Sequence, residues 1–345
     1  MENPGSGSAT ANIGEKVMRE ELKSYRENNA RTPSIRCNKK LFISRDDVRY
    51  NNKFDRNIYS TLYDPSRIRG SRAVYFAAPA DYGADKFLVA RGKRLVIVKW
   101  NGGKWKSNPI QKILRDPHGF EIPEYQIRED IISYGSIDPQ GRLWFGTKNV
   151  HGETFGDVWT YNRDTQPYLK QPLNNERLRP HQHDQNNYSN GIVWFSTIRK
   201  PTIAYYNDIL TNKIHSYSYN LETGDLMELL DTVYDLNGLH EHNINGPLCR
   251  FGRMAIDTRG FLWAPLLSGS HVLEINPYAK KVERFMPITA HSLTACTFGG
   301  ANGNILYVTS RKSSTRPTVD QGGTIFAVTN LGNGVVGYRT PTFLS

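Results

Sequence analysis

Asp138-Pro-Gln-Gly-Arg-Leu-Trp-Phe-Gly146, followed by Asp157-Val-Trp-Thr-Tyr161, reads as a turn, a strand, a connection and a second strand. Asp accepts local backbone hydrogen bonds and Gly takes positive φ, so the first four residues form a turn. The aromatic and branched residues that follow suit a pleated, half-buried surface. The same pairing recurs along the chain. First runs are Leu41-Phe-Ile-Ser44, Phe87-Leu-Val-Ala90, Arg142-Leu-Trp-Phe-Gly146, Ala204-Tyr-Tyr-Asn-Asp208, Phe261-Leu-Trp-Ala264 and Ile305-Leu-Tyr-Val-Thr309. Their partners are Ala73-Val-Tyr-Phe76, Leu95-Val-Ile-Val-Lys-Trp100, Asp157-Val-Trp-Thr-Tyr161, Ile214-His-Ser-Tyr-Ser-Tyr219, His271-Val-Leu-Glu-Ile275 and Thr324-Ile-Phe-Ala-Val328. Units of roughly 45 to 60 residues with several strands each point to a β-propeller, because one small twisted sheet buries both faces only when neighbours stack on it. The pattern predicts an all-β chain: a six-bladed propeller over residues 36–345, preceded by an N-terminal extension over residues 1–35.

In that extension the first dozen residues are mostly Gly, Ser, Ala and Asn and read as disordered. Glu15 to Glu27 places Met18, Leu22 and Tyr25 on one helical stripe, a short helix that packs on the ring or docks a partner. The stretch from Tyr50 to Arg72 reads as a long irregular connection.

The net charge is +11, yet the first 72 residues hold 15 Lys and Arg against 9 Asp and Glu, so much of the excess lies near the N-terminus. Basic surfaces attract polyanions, but no segment interleaves stacking aromatics with Arg as nucleic-acid-binding modules do. Nucleic acid is therefore not the expected partner. A protein partner held through the basic N-terminal region is the better reading. Three cysteines, Cys37, Cys249 and Cys296, cannot all pair internally and lack zinc-finger spacing, which fits a reduced, cytoplasmic chain. No signal-peptide pattern and no apolar run long enough to span a bilayer is present.

An ordered set of motifs resembles the regucalcin, or senescence marker protein, and gluconolactonase family, with a flavour closest to insect regucalcins. It comprises Val96-Ile-Val-Lys-Trp100, Gly135-Ser-Ile-Asp-Pro-Gln-Gly-Arg-Leu-Trp-Phe-Gly-Thr147, Ser189-Asn-Gly191, Tyr205-Tyr-Asn-Asp208, Tyr219-Asn-Leu-Glu-Thr-Gly224, Met254-Ala-Ile-Asp-Thr-Arg-Gly-Phe-Leu-Trp263, Thr297-Phe-Gly-Gly300 and Gly323-Thr-Ile-Phe-Ala-Val-Thr329. The resemblance implies a divalent metal, commonly calcium or zinc, held at the mouth of the propeller. Its ligands are a Glu from the first blade, the Asn of a Ser-Asn-Gly motif and the Asp of a Pro-Asp-Gly-Met motif. Such oxygens suit a hard cation, and an Asp beside it can serve as general base. An Arg and an Asn in an Arg-Phe-Asn-Asp-Gly motif hold a sugar lactone.

Position by position, that constellation is largely replaced. Asn190 matches the metal-binding Asn, but the Pro-Asp-Gly-Met position reads Phe251-Gly-Arg-Met254, which puts Gly252 where the metal ligand and general base belong. Arg253 beside it adds a permanent cation if it points inward. The lactone-binding Arg becomes Ile131 and the Asn becomes Ser133. The first-blade Glu has no clear counterpart; Glu27 substitutes only if the alignment carries an insertion. Two lost carboxylates remove most of the charge that offsets dehydration of a divalent ion. The expectation is a propeller that has lost metal-dependent lactone hydrolysis, needs no cofactor and serves as a binding or structural module. The alternative is an active calcium- or zinc-dependent lactonase or esterase whose remodelled ligands are Asn190 with Glu27, His183 and His242. The latter two belong to the pairs His181-Gln-His183 and His240-Glu-His242, whose alternate residues face one way in an extended segment. Cys296 reads as a buried packing residue, Asp138 and Asp257 as turn acceptors, and Trp144, Trp159, Trp194 and Trp263 as fillers between blades.

Overall fold

The structure is a computed structural model that describes residues 34–38, 74–80, 86–91, 94–100, 110–114, 130–149, 158–162, 165–169, 189–197, 200–209, 211–239, 249–312, 320–339 and 341–343. These residues are all-β, with one short 3-10 turn at Leu236–Gly238. In chain order, β1 is Ser34–Asn38; β2 to β5 are Val74–Pro79, Lys86–Arg91, Arg94–Trp100 and Ile110–Leu114; β6 to β9 are Asp130–Ile137, Leu143–Asn149, Val158–Asn162 and Thr165–Leu169. Strands β10 to β13 are Ser189–Thr197, Lys200–Asp208, Lys213–Asn220 and Asp225–Asp235; β14 to β18 are Arg250–Phe251, Ala255–Ile256, Leu262–Leu267, His271–Asn276 and Lys281–Pro287. The last three, β19 to β21, are Ser292–Gly299, Ile305–Arg311 and Ile325–Thr329.

Among the described residues these strands form five antiparallel sheets. Three are simple meanders, β2 to β5, β6 to β9 and β10 to β13. In the fourth, β14 and β15 share the edge of β16, followed by β17 and β18. The fifth runs β19, β20, β21 and then β1, so the N-terminal strand completes a sheet whose other three strands come from the chain's end. The five hairpins expected from Phe87 onward are the two middle strands of these sheets. The expected first unit differs: Val74–Pro79 pairs with Lys86–Arg91 as the first strand of the Phe87 sheet, while Leu41-Phe-Ile-Ser44 lies outside the described residues. The disordered start, the helix expected over Glu15 to Glu27 and the Tyr50 to Arg72 stretch also lie outside them.

The chain divides into two compact units, one of residues 39–235 and 340–345, the other of residues 1–38 and 236–339. In the first unit, β2, β6 and β10 lie side by side. One core gathers Phe76, Leu88, Ile132, Phe145 and Trp159 together with Phe343, whose N–H reaches the Pro79 carbonyl at 2.9 Å. A second, aromatic core packs Trp144, Trp194, Tyr206, Tyr217 and Tyr219. In the second unit, Trp263, Val272, Met286, Leu293, Leu306, Val308, Phe326 and Val328 form one core between its two sheets. Sheets covered on both faces need no alternation, and β16 and β17 show none: Leu262–Leu266 and His271–Ile275 are buried without a break.

Candidate functional site

Every described sheet carries one extra residue in its first strand. Register slips by one at Tyr75 in β2, at Ser133 in β6, across Asn190–Gly191 in β10, across Gly252–Met254 between β14 and β15, and at Thr294 in β19. A bulge bends its strand and re-aims a side chain, which is why bulges collect next to binding sites. Three of the positions singled out from sequence, Ser133, Asn190 and Gly252, therefore occupy one kind of place in three different sheets. Tyr75 and Thr294 complete the series and were not singled out. Their signal lies in strand register, which the residue pattern alone does not carry.

In the first unit, Ile131 sits two residues before the Ser133 bulge and pairs with Lys148. Ser133 is buried, and its hydroxyl donates to the Gly146 carbonyl at 3.2 Å across the same bulge. The Ser133 hydroxyl is thus engaged by its own sheet. Asn190 and Gly191 stand at the β10 bulge, with Gly191 at φ 122, so Asn-Gly here serves a strand irregularity rather than a hairpin turn.

In the second unit, Gly252 is buried. Its N–H donates to the Pro265 carbonyl at 2.6 Å, and the next residue, Arg253, donates its N–H to the Thr294 carbonyl at 3.0 Å. Cys296 N–H returns to the Arg253 carbonyl at 3.0 Å, giving a parallel bridge between Arg253 and Ala295. A Cβ at position 252 would lie 2.7 Å from the Thr294 carbonyl oxygen and 3.0 Å from that of Leu293. The position has neither a side-chain ligand atom nor room for one.

The two turn aspartates are wholly buried. Asp138 accepts from the N–H groups of Gln140 and Arg142, from Arg142 Nε at 2.6 Å and from the Tyr219 hydroxyl at 2.6 Å, while Arg142 also donates to the Leu221 and Glu222 carbonyls. Burial beside this carboxylate pushes the Tyr219 phenol far up from its ordinary range. Asp257 accepts from Arg259 N–H, Phe261 N–H, Trp263 Nε1 and the Arg259 guanidinium, which also pairs with Glu274; Glu274 in turn pairs with Arg284. Both carboxylates are spent on structure. Trp144, Trp159, Trp194 and Trp263 are all buried, as fillers rather than a stacking platform. Cys296 is buried too, its thiol donating to the Trp263 carbonyl, and burial raises it to about 12.

Among the described residues no group of three or more His, Cys, Asp or Glu is placed to hold a metal ion. Asn190 is described through its backbone register, and Glu27, His181, His183, His240 and His242 lie outside the described residues. The described positions do not fit the expected cation: Gly252 offers no side-chain oxygen and Ser133 has its hydroxyl on Gly146. No helix of the described residues is long and apolar enough to cross a membrane.

Comparison with known proteins converges on one family. The model for the SMP-30/gluconolactonase/LRE-like region matches residues 55–312. YvrE of Bacillus subtilis, whose name proposes a sugar lactone lactonase, is 33% identical over 176 residues, about half of this chain and 51% of its own length. Zebrafish (Danio rerio) regucalcin is 27% identical over 253 residues, 72% of this chain and 74% of its own. The human (Homo sapiens) regucalcin is 29% identical over 202 residues, 57% of this chain and 62% of its own. Among solved structures, a luciferin-regenerating enzyme superposes with a TM-score of 0.62 at 22% identity over 80% of this chain and 83% of that one. The calcium-binding protein regucalcin of Agrobacterium tumefaciens superposes with a TM-score of 0.57 at 18% identity, over 77% and 78%.

Proposed function

The chain belongs to the SMP-30/gluconolactonase/LRE-like family of β-propellers, and on that premise we propose that it keeps the family's fold, has lost metal-dependent sugar-lactone hydrolysis, and acts as a binding or structural module. The observation that carries this is Gly252. At the position where the family's resemblance calls for an Asp that binds metal and moves the proton, the chain has no side chain, and the neighbouring strand leaves no space for one. Ser133 supports the same reading, since its hydroxyl is tied to Gly146 rather than free for a sugar. Without a carboxylate at position 252, neither proton abstraction from water nor charge compensation for a divalent ion has a group to perform it there.

The six-blade count and the boundary near residue 35 are part of this proposal. The five described sheets support that count. A protein partner engaged through the basic N-terminal region is the most economical new role, because 15 Lys and Arg stand against 9 Asp and Glu in the first 72 residues. A cytoplasmic setting goes with it, supported by the absence of a disulfide at Cys249 and Cys296 among the described residues.

Hydrolysis of gluconolactone, followed by pH-stat with calcium, zinc, magnesium or manganese added in turn, tests the proposal. The expected outcome is no turnover above the uncatalysed rate with any ion. Metal-dependent turnover, abolished by replacing Asn190, Glu27, His183 or His242, would establish the remodelled lactonase instead.

A further inference from the structure

We infer that the family's metal-ligand position in this chain is closed by backbone rather than emptied by the loss of one side chain: the Gly252–Arg253 segment welds the first strand of one sheet to the first strand of the next. This rests on the reading above that Gly252 stands where the family carries Asp.

The glycine is not required by backbone conformation. Gly252 is not among the glycines with positive φ, so its dihedrals are open to any L residue. What excludes a side chain is proximity. The atoms a Cβ would meet, at 2.7 and 3.0 Å, are the carbonyl oxygens of Thr294 and Leu293 and the Thr294 carbonyl carbon, all backbone, which cannot rotate aside as a side chain can.

That backbone is held from both directions. Gly252 N–H is fixed to Pro265 O, Arg253 N–H to Thr294 O, and Cys296 N–H to Arg253 O. Two features on the opposing strands make the approach workable. Pro265 lies in the middle of β16, opposite the slipped register, where its missing N–H is not needed and its carbonyl still accepts. Thr294 is the bulged residue of β19, so its carbonyl turns out of its own ladder toward Arg253. The Thr294 hydroxyl, paired with Thr309 at 2.8 Å, and the Cys296 thiol on the Trp263 carbonyl tie β19 to its surroundings on either side. A bulge that could present a ligand has become a joint between two sheets, and restoring the carboxylate alone cannot reopen it.

Three variants and one exchange measurement test this. Gly252→Ala adds only a Cβ; Gly252→Asp adds the family's ligand; Gly238→Ala, in the same unit with nothing within 4 Å of its Cβ, is the control. The expected result is a thermal midpoint lowered by about 1–4 °C for G252A, an unchanged midpoint for G238A, and no calcium- or zinc-dependent shift for G252D. In the unmodified protein, hydrogen exchange should show the Arg253 and Cys296 amides protected to the level of the β16 ladder. If G252A fails to fold while G238A folds, the exchange result decides. A G252A midpoint equal to that of the unmodified protein, metal binding by G252D, or fast exchange at Arg253 and Cys296 would overturn the inference. Lactone hydrolysis by the unmodified protein would instead defeat the loss-of-activity reading and leave the steric result standing.

Discussion

Asp138 and Asp257 occupy equivalent turns, and each shows why a carboxylate at a propeller turn is a poor guide to catalysis. Gly141 at φ 82 and Gly260 at φ 84 close the two turns, and each Asp collects the following N–H groups and an Arg. Asp257→Ala leaves the Trp263 indole and the Arg259 and Phe261 N–H groups without their acceptor while the Arg259 guanidinium keeps Glu274, and a cost of about 1–3 kcal/mol is expected for the buried donors left unsatisfied, measurable by urea unfolding. Among the described residues His215 contributes a pH dependence. Burial lowers its pKa, Asp208 at 4.0 Å opposes the shift, and Lys213 and Asp235 act in opposite senses more weakly. A His depressed when folded contributes stability that is present above the ordinary value near 6.5 and is lost as pH falls from there through its folded value. The thermal midpoint of the native chain should therefore fall between pH 7.5 and 5 by more than that of His215→Gln; equal slopes would remove His215 from the account. The thiols give a third residue-level test. Burial raises Cys249 to about 11 and Cys296 to about 12. In a Cys37→Ser background, neither should react with iodoacetamide at pH 7 until the protein is unfolded.

At the scale of elements, the middle hairpins were legible in sequence and the strands that carry the site positions were not. Leu143–Asn149 with Val158–Asn162 announces itself through a turn and two aromatic runs. First strands are broken by bulges, so Asp130–Ile137 and Ser189–Thr197 mix Ser, Gly and Asn with apolar residues and lose the period that marks a strand. The segment from Arg250 to Ile256 is two two-residue strands around Gly252, invisible to any pattern of period two. That Gly252 replaces a ligand could be read by resemblance. That the replacement is sterically closed could not, because the atoms that close it belong to Leu293 and Thr294, some 40 residues away in sequence. The chain's end was equally unreadable. Phe343 lies in a core with Phe76 and Phe145 and stacks on Tyr161 at 5.6 Å. Phe343→Ala should cost about 3–5 kcal/mol, again by urea unfolding, and an unchanged midpoint would show that the tail does not hold that core.

For the whole molecule, family membership and function part company. The family match over residues 55–312 and the superpositions speak for the fold, and a fold does not fix chemistry. Function has to be argued from the site, and there the described positions offer a glycine without space at 252 and a committed hydroxyl at 133. The most direct test of the claim that metal-dependent chemistry is lost is the thermal midpoint of the full chain in chelator, in calcium and in zinc. An ion bound at 100 times its dissociation constant stabilises the native state by about 2.7 kcal/mol. The predicted result is one midpoint in all three conditions. A saturable rise with either ion would contradict the account.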